Sequence, residues 1–218
     1  MALERKLIIA IVVVAAAAIT MVVSNLLALE TLSVVSKMSA SSAFIALALT
    51  AGALQSLYGR IVIAALSLSW IGDLLLAGGS EQLFLFGLIS FLLAHVAFVV
   101  AFSVHGIKLN SALVAGIPIA ALSIAVSLWL STYVPADMVI PVRVYTLVIS
   151  IMVITAFGAR GAGAPLLIPV GALLFYFSDL SVATGQFVQT DFPNYVWGLP
   201  FYFSGQVLLA LSVRGIKS

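Results

Sequence analysis

The stretch IVIAALSLSWIGDLLLA (Ile61–Ala77) runs for 17 residues with a single charge, Asp73. Its length approaches the roughly 20 apolar residues that a helix needs to cross the hydrocarbon of a bilayer. The neighbouring sequence repeats this pattern. Apolar runs recur at Leu7–Val23, Val34–Leu54, Leu83–Val104, Leu113–Leu130, Val142–Phe157, Pro165–Ala183 and Val196–Val213. Stop and turn residues separate them: Tyr58-Gly59-Arg60, Gly78-Gly79-Ser80, Gly106, Pro135 with Pro141, Gly161-Ala162-Gly163, and Pro193-Asn194.

Composition gives the reason for this reading. Of 218 residues, 64% are hydrophobic and 7% are charged. A soluble domain runs at about half apolar and about a quarter charged. A soluble domain of this size still exposes much of its surface, so the apolar excess has nowhere to hide. The expected fold is an all-α, polytopic membrane bundle of eight transmembrane helices in one domain, residues 1–218. The absence of cysteine excludes disulfides, thiolate metal sites and a cysteine nucleophile. A net charge of +2, spread along the chain, gives no argument for a nucleic-acid partner. Arg5 and Lys6 before the first apolar run also have the form of a cleaved leader. The duplication described below argues for a retained helix.

Basic residues assign the orientation. With the N-terminus inside, Arg5, Lys6, Arg60, Lys108, Arg160, Arg214 and Lys217 fall on the cytoplasmic side. Lys37 and Arg143 alone fall outside, a clear positive-inside bias. The acids Glu30, Glu81, Asp137 and Asp191 sit in the outer loops, which carries less weight. Eight spans then return the chain to its starting side, with both termini cytoplasmic. The expected location is a bacterial cell membrane.

A shift of 106 residues brings Lys37 onto Arg143, Gly52 onto Gly158, Asp73 onto Asp179 and Gly79 onto Gly185. Trp70-Ile71-Gly72-Asp73-Leu74 then overlies Tyr176-Phe177-Ser178-Asp179-Leu180. Five extra residues in the second copy change the shift to 111, placing Gly87-Leu88 on Gly198-Leu199 and His95 on Gln206. The polar and glycine matches imply two four-helix repeats, about residues 1–108 and 109–218. An even helix number makes such repeats parallel, related by an axis along the membrane normal.

Asp73 and Asp179 are the two acids within the spans. Each is placed about four residues, or roughly 6 Å, from the outer end of its helix. Intramembrane charges face the bundle interior or a wet cavity. One reading is structural, with ion pairs Lys37–Asp73 and Arg143–Asp179. The other is catalytic: two carboxyl groups sharing a low-dielectric pocket hold a proton between them, supplying a general acid and a general base. Lys37 and Arg143 would then hold a phosphate. His95 is placed roughly 18 Å deep, facing Gln206 in a polar seam. That depth argues against a metal held by Asp73, Asp179 and His95, and neither metal nor cofactor is expected. Tyr176, three residues before Asp179, either walls the pocket or anchors the interface. Serine-hydrolase, zinc-protease and nucleotide-binding fingerprints are absent from the sequence.

Ser69-Trp70-Ile71-Gly72-Asp73-Leu74-Leu75-Leu76, followed by Phe86-Gly87-Leu88-Ile89-Ser90-Phe91-Leu92-Leu93-Ala94-His95, resembles the lysoplasmalogenase, or YhhN-like, membrane family. Phe177-Ser178-Asp179-Leu180 and Gly205-Gln206-Val207-Leu208-Leu209-Ala210 resemble its second half. One departure is Met38, where the family often has proline after the lysine. The resemblance implies an eight-helix hydrolase cleaving the vinyl ether of a lysophospholipid substrate to a fatty aldehyde and a glycerophospho-alcohol. On that reading Asp73 and Asp179 are catalytic, and Lys37, Arg143, His95 and Tyr176 bind substrate. Membrane lipids are the remaining partners. A proton-coupled transporter or lipid-binding protein is the alternative, since parallel repeats with intramembrane carboxylates also describe carriers.

Overall fold

A computed structural model describes residues 2–188, 193–214 and 216; Asp191 and Lys217, used above for orientation, lie outside the described residues. Eight helices follow in order: α1 (Ala2–Leu26), α2 (Glu30–Thr50), α3 (Leu57–Leu76), α4 (Glu81–His105), α5 (Leu109–Leu130), α6 (Val139–Gly161), α7 (Leu167–Ala183) and α8 (Asn194–Leu211). A 3-10 turn, Ala53–Gln55, precedes α3, and a π-helical turn, Thr184–Val188, prolongs α7. Among the described residues there is no strand.

Seven helices are long and apolar enough to cross a membrane, with α7 counted through Val188. The eighth, α8, is diluted by Asn194, Tyr195, Trp197, Tyr202 and Gln206. The distribution of side chains inverts that of a soluble bundle. Val114, Ile117 and Ile140 are 74%, 76% and 72% exposed, while Ser41, Ser69, Asp73, His95 and Gln206 are buried. Apolar surface outside and polar groups inside is the arrangement a hydrocarbon solvent favours. The chain is a multi-pass membrane protein.

Consecutive helices pair: α1 with α2, α3 with α4, α5 with α6, and α7 with α8. The pairs join through α2 and α3, α6 and α7, α4 and α6, and α2 and α8. Gly72 shows why α3 and α4 lie so close beside Asp73. A Cβ at Gly72 would stand 2.6 Å from the Phe91 ring on α4, so a hydrogen at this position sets the spacing. Ser80 then caps α4, accepting from the Leu83 amide at 3.2 Å.

Two helix boundaries move functional residues. α2 starts at Glu30 rather than Val34, after a tight turn with Ala28 at φ 55°. Lys37 therefore sits about 10 Å along the helix instead of at its start. The π turn carries the helical path of α7 five residues past Ala183, so Asp179 lies about 7 Å deeper than the sequence reading placed it.

Candidate active site

Asp73 sits near the end of α3 and is 2% exposed. Three side chains converge on its carboxylate. From α2, Ser41 donates to Oδ2 at 2.5 Å and Lys37 Nζ lies 3.2 Å from Oδ1. From α8, Tyr202 donates to Oδ2 at 2.7 Å. Lys37 also donates to the Asp73 main-chain carbonyl at 3.3 Å. Each partner is a donor and one is cationic, so the carboxyl oxygens of Asp73 are met only by hydrogen-bond donors in the bundle interior.

Asp179 on α7 has a different set of partners. Tyr145 of α6 donates to Oδ2 at 2.5 Å, and His95 Nε2 of α4 lies 2.9 Å from the same oxygen. His95 Nε2 is also 2.9 Å from the Tyr145 hydroxyl, closing a triangle of carboxylate, phenol and imidazole. His95 is fully buried and its Nδ1 has no hydrogen-bond partner. The ring therefore presents its working nitrogen to the triangle alone. Imidazole gives and accepts hydrogen bonds, whereas the lysine beside Asp73 only donates, and each aspartate also has one tyrosine hydroxyl.

Both aspartates line one cavity of about 600 Å³, together with Lys37, Tyr145, Tyr176 and Tyr202. The cavity lies at the bundle end formed by the starts of α2, α4, α6 and α8, away from the chain's N-terminus. Fully buried Phe175 separates the two centres. Its ring centroid is 4.6 Å from His95 and 5.4 Å from Tyr202. Phe91 packs edge-on against Phe175 at 6.1 Å and Tyr202 at 5.9 Å. This aromatic wall holds the rings that bring His95 and Tyr202 to their carboxylates.

The structure alters several sequence expectations. The Lys37–Asp73 ion pair forms, but Asp179 pairs with His95 rather than Arg143. Arg143 is exposed on α6 and does not line the cavity, because it projects from the outward face one turn into that helix. His95 is not set apart by depth from Asp179, whose Oδ2 lies 2.9 Å from its Nε2. Gln206, its expected seam partner, is buried without a hydrogen-bond partner. Tyr176 walls the cavity while its hydroxyl pairs with Ser123 at 2.9 Å. Among the described residues, no group of three or more histidine, aspartate or glutamate side chains is arranged to hold a metal ion.

Ser41, Tyr145 and Tyr202 escaped the sequence reading. Hydroxyl side chains are common in membrane helices, so residue type alone does not mark them. Spacing does leave a trace, since Ser41 is one turn from Lys37 on α2 and shares its face. Comparison with curated proteins and with solved structures gave no match. The model of the YhhN family matches residues 32–213, a span that holds both aspartates and each of their side-chain partners. The chain therefore belongs to the YhhN family, the family of the lysoplasmalogenases.

Proposed function

We propose that the protein hydrolyses the vinyl ether bond of lysoplasmalogen-type lysolipids, with Asp179 as the general acid and Asp73 as the general base. The observation that carries this reading is the contrast between two carboxyl groups lining one cavity. Asp73 is met by a lysine and two hydroxyl donors. Asp179 is met by an imidazole that can return a proton to it; a tyrosine hydroxyl meets each carboxyl group, so the contrast lies between Lys37 and His95. Opposite environments for paired carboxyl groups assign acid and base.

The chemistry follows from the substrate. A vinyl ether resists base but reacts once a proton reaches its β-carbon. Asp179 delivers that proton, and the double-bond electrons form the new C–H bond, leaving an oxocarbenium ion. The Asp73 carboxylate stabilises the cation and takes a proton from water as its oxygen bonds to the cationic carbon, as paired carboxylates do in glycoside hydrolysis. The hemiacetal then collapses. Asp73 returns its proton to the departing glycerol oxygen, and Asp179 takes the hemiacetal hydroxyl proton. One water is consumed, an aldehyde and an alcohol leave, and both aspartates recover their starting states.

In this reading the apolar tail lies along Phe84, Leu88 and Phe91, which line the same cavity. Lys37 has one donor left beyond the two it gives Asp73 and faces the cavity, so it meets the headgroup phosphate. The cavity mouth faces the outer side, with both termini cytoplasmic. Helix packing supports the two parallel repeats. The α3–α4 pair is answered by α7–α8, α1–α2 by α5–α6, and α4–α6 by α8–α2.

The test is aldehyde release by the purified protein from a lysoplasmalogen, compared with Asp73→Asn and Asp179→Asn. Turnover by the parent and its loss in both variants is expected. Near-normal turnover in either correctly folded variant removes the assignment.

A further inference from the structure

A second cavity, of about 650 Å³, opens at the opposite end of the bundle and shares no lining residue with the first. Its walls come from α5 and from Phe157 of α6 and Leu173 of α7. Val114, Ala115, Pro118 and Ile119 make the α5 wall apolar, and Lys108, Asn110, Ser111 and Arg160 gather at the mouth.

The mouth is built for an anion. Neither Lys108 nor Arg160 forms an ion pair among the described residues. Arg160 Nη1 donates to the Ala164 carbonyl at 2.8 Å, which fixes the guanidinium and leaves its other donors available. Lys108 is the residue just before α5, at its N-cap, and it makes no side-chain capping bond. The first-turn amides of this 22-residue helix add their partial positive charge at the same place. Two cations and a helix start therefore converge without a carboxylate to balance them.

The walls are built for a chain. From Lys108 to Ile119 the groove follows α5 for about 16 Å, close to half of the roughly 30 Å hydrocarbon thickness. That is the depth of one leaflet. α5 also has an open flank: it packs along α6, touches the π turn after α7, and meets α7 itself through the Ser123–Tyr176 hydrogen bond, outside this groove. A soluble anion would satisfy the mouth and leave these apolar walls uncovered, whereas a lipid covers both.

We propose that this groove binds one anionic glycerophospholipid from the leaflet on the N-terminal side of the bundle. Its phosphate lies between Lys108 and Arg160, and an acyl chain lies between α5 and α7. The site is separate from the catalytic cavity, and its occupant is a structural lipid rather than a substrate. Basic pockets between membrane helices on the cytoplasmic side suit such headgroups.

Native mass spectrometry of the detergent-purified protein, with dioleoyl phosphatidylglycerol or dioleoyl phosphatidylcholine added, tests this. The parent is expected to retain one phosphatidylglycerol, favoured roughly thirtyfold over phosphatidylcholine by two cations at a lipid headgroup. The double variant Lys108→Gln/Arg160→Gln loses that preference, and its thermal midpoint stops rising with phosphatidylglycerol. Ala115→Trp fills the groove while keeping both charges, and it loses the adduct as well. Arg143→Gln, a cation at the other end, keeps it. Equal retention of the two lipids by the parent, or an unchanged preference in the double variant, overturns the proposal. So does a thermal shift from glycerol 1-phosphate equal to that from phosphatidylglycerol, which would make this a site for free anions.

Discussion

Asp73 and Asp179 carry the same functional group and differ in what surrounds it. Removing one partner from a buried ion pair leaves a charge without compensation, so Lys37→Met is expected to cost about 3 kcal/mol of stability. Unfolding in detergent, followed by circular dichroism, measures this. Asp179→Asn removes the proposed acid and is expected to lower turnover by roughly a hundredfold to ten-thousandfold. Tyr145→Phe keeps the ring against His95 and deletes the hydroxyl at 2.5 Å from Asp179. As Asp179 gives up its proton, the bond from Tyr145 becomes one to a charged group, contributing about 1.5–3 kcal/mol, so turnover is expected to fall roughly ten- to a hundredfold. Steady-state aldehyde release reads both effects. At this scale the sequence exposed what was rare. Two acids, one lysine and one histidine stand out against an apolar background, and all four meet at the cavity or its edge. Tyrosine and serine do not stand out, and their roles come from neighbours 32 to 129 residues away.

Eight apolar runs were legible in the sequence, and among the described residues eight helices form, seven of them long and apolar enough to cross a membrane. Their ends were less legible. Gly52 and Gly79 have φ values of 97° and 70°, as turn glycines should, yet Gly158 and Gly185, which the 106-residue shift lays over them, lie inside helical segments. Identical residues at matched positions thus serve different backbones, and the π turn that deepens Asp179 follows from one of these differences. Close approach between helices is a firmer signal. Gly72→Ala drives a methyl group into Phe91 and is expected to destabilise by about 1–3 kcal/mol through overpacking. Gly116→Ala is the contrasting case. Its Cβ would meet nothing nearer than 3.8 Å, so that variant is expected to be neutral or slightly stabilising. Thermal midpoints of the two purified variants, measured side by side, check the difference.

At the scale of the molecule, the polar interior and apolar exterior come from one cause, a solvent that makes unpaired polar groups costly. Both intramembrane carboxyl groups and Lys37 lie at the cavity at one end of the bundle, while buried Tyr58 and Ser212 satisfy each other near the opposite end. Apart from Lys37 and Arg143, the described basic residues gather at the opposite end, and the orientation reading has a simple test because the chain has no cysteine. In cells, Glu81→Cys is expected to react with a membrane-impermeant maleimide, and Ala162→Cys to react only after lysis. The central claim concerns the path of a proton from Asp179 to carbon. Turnover of a lysoplasmalogen in deuterium oxide, followed by mass spectrometry of the aldehyde, tracks that path. The account predicts a single deuterium on the carbon next to the aldehyde group, with no such product from Asp179→Asn. Aldehyde lacking that deuterium, or labelled aldehyde formed at the parent rate by Asp179→Asn, would contradict it.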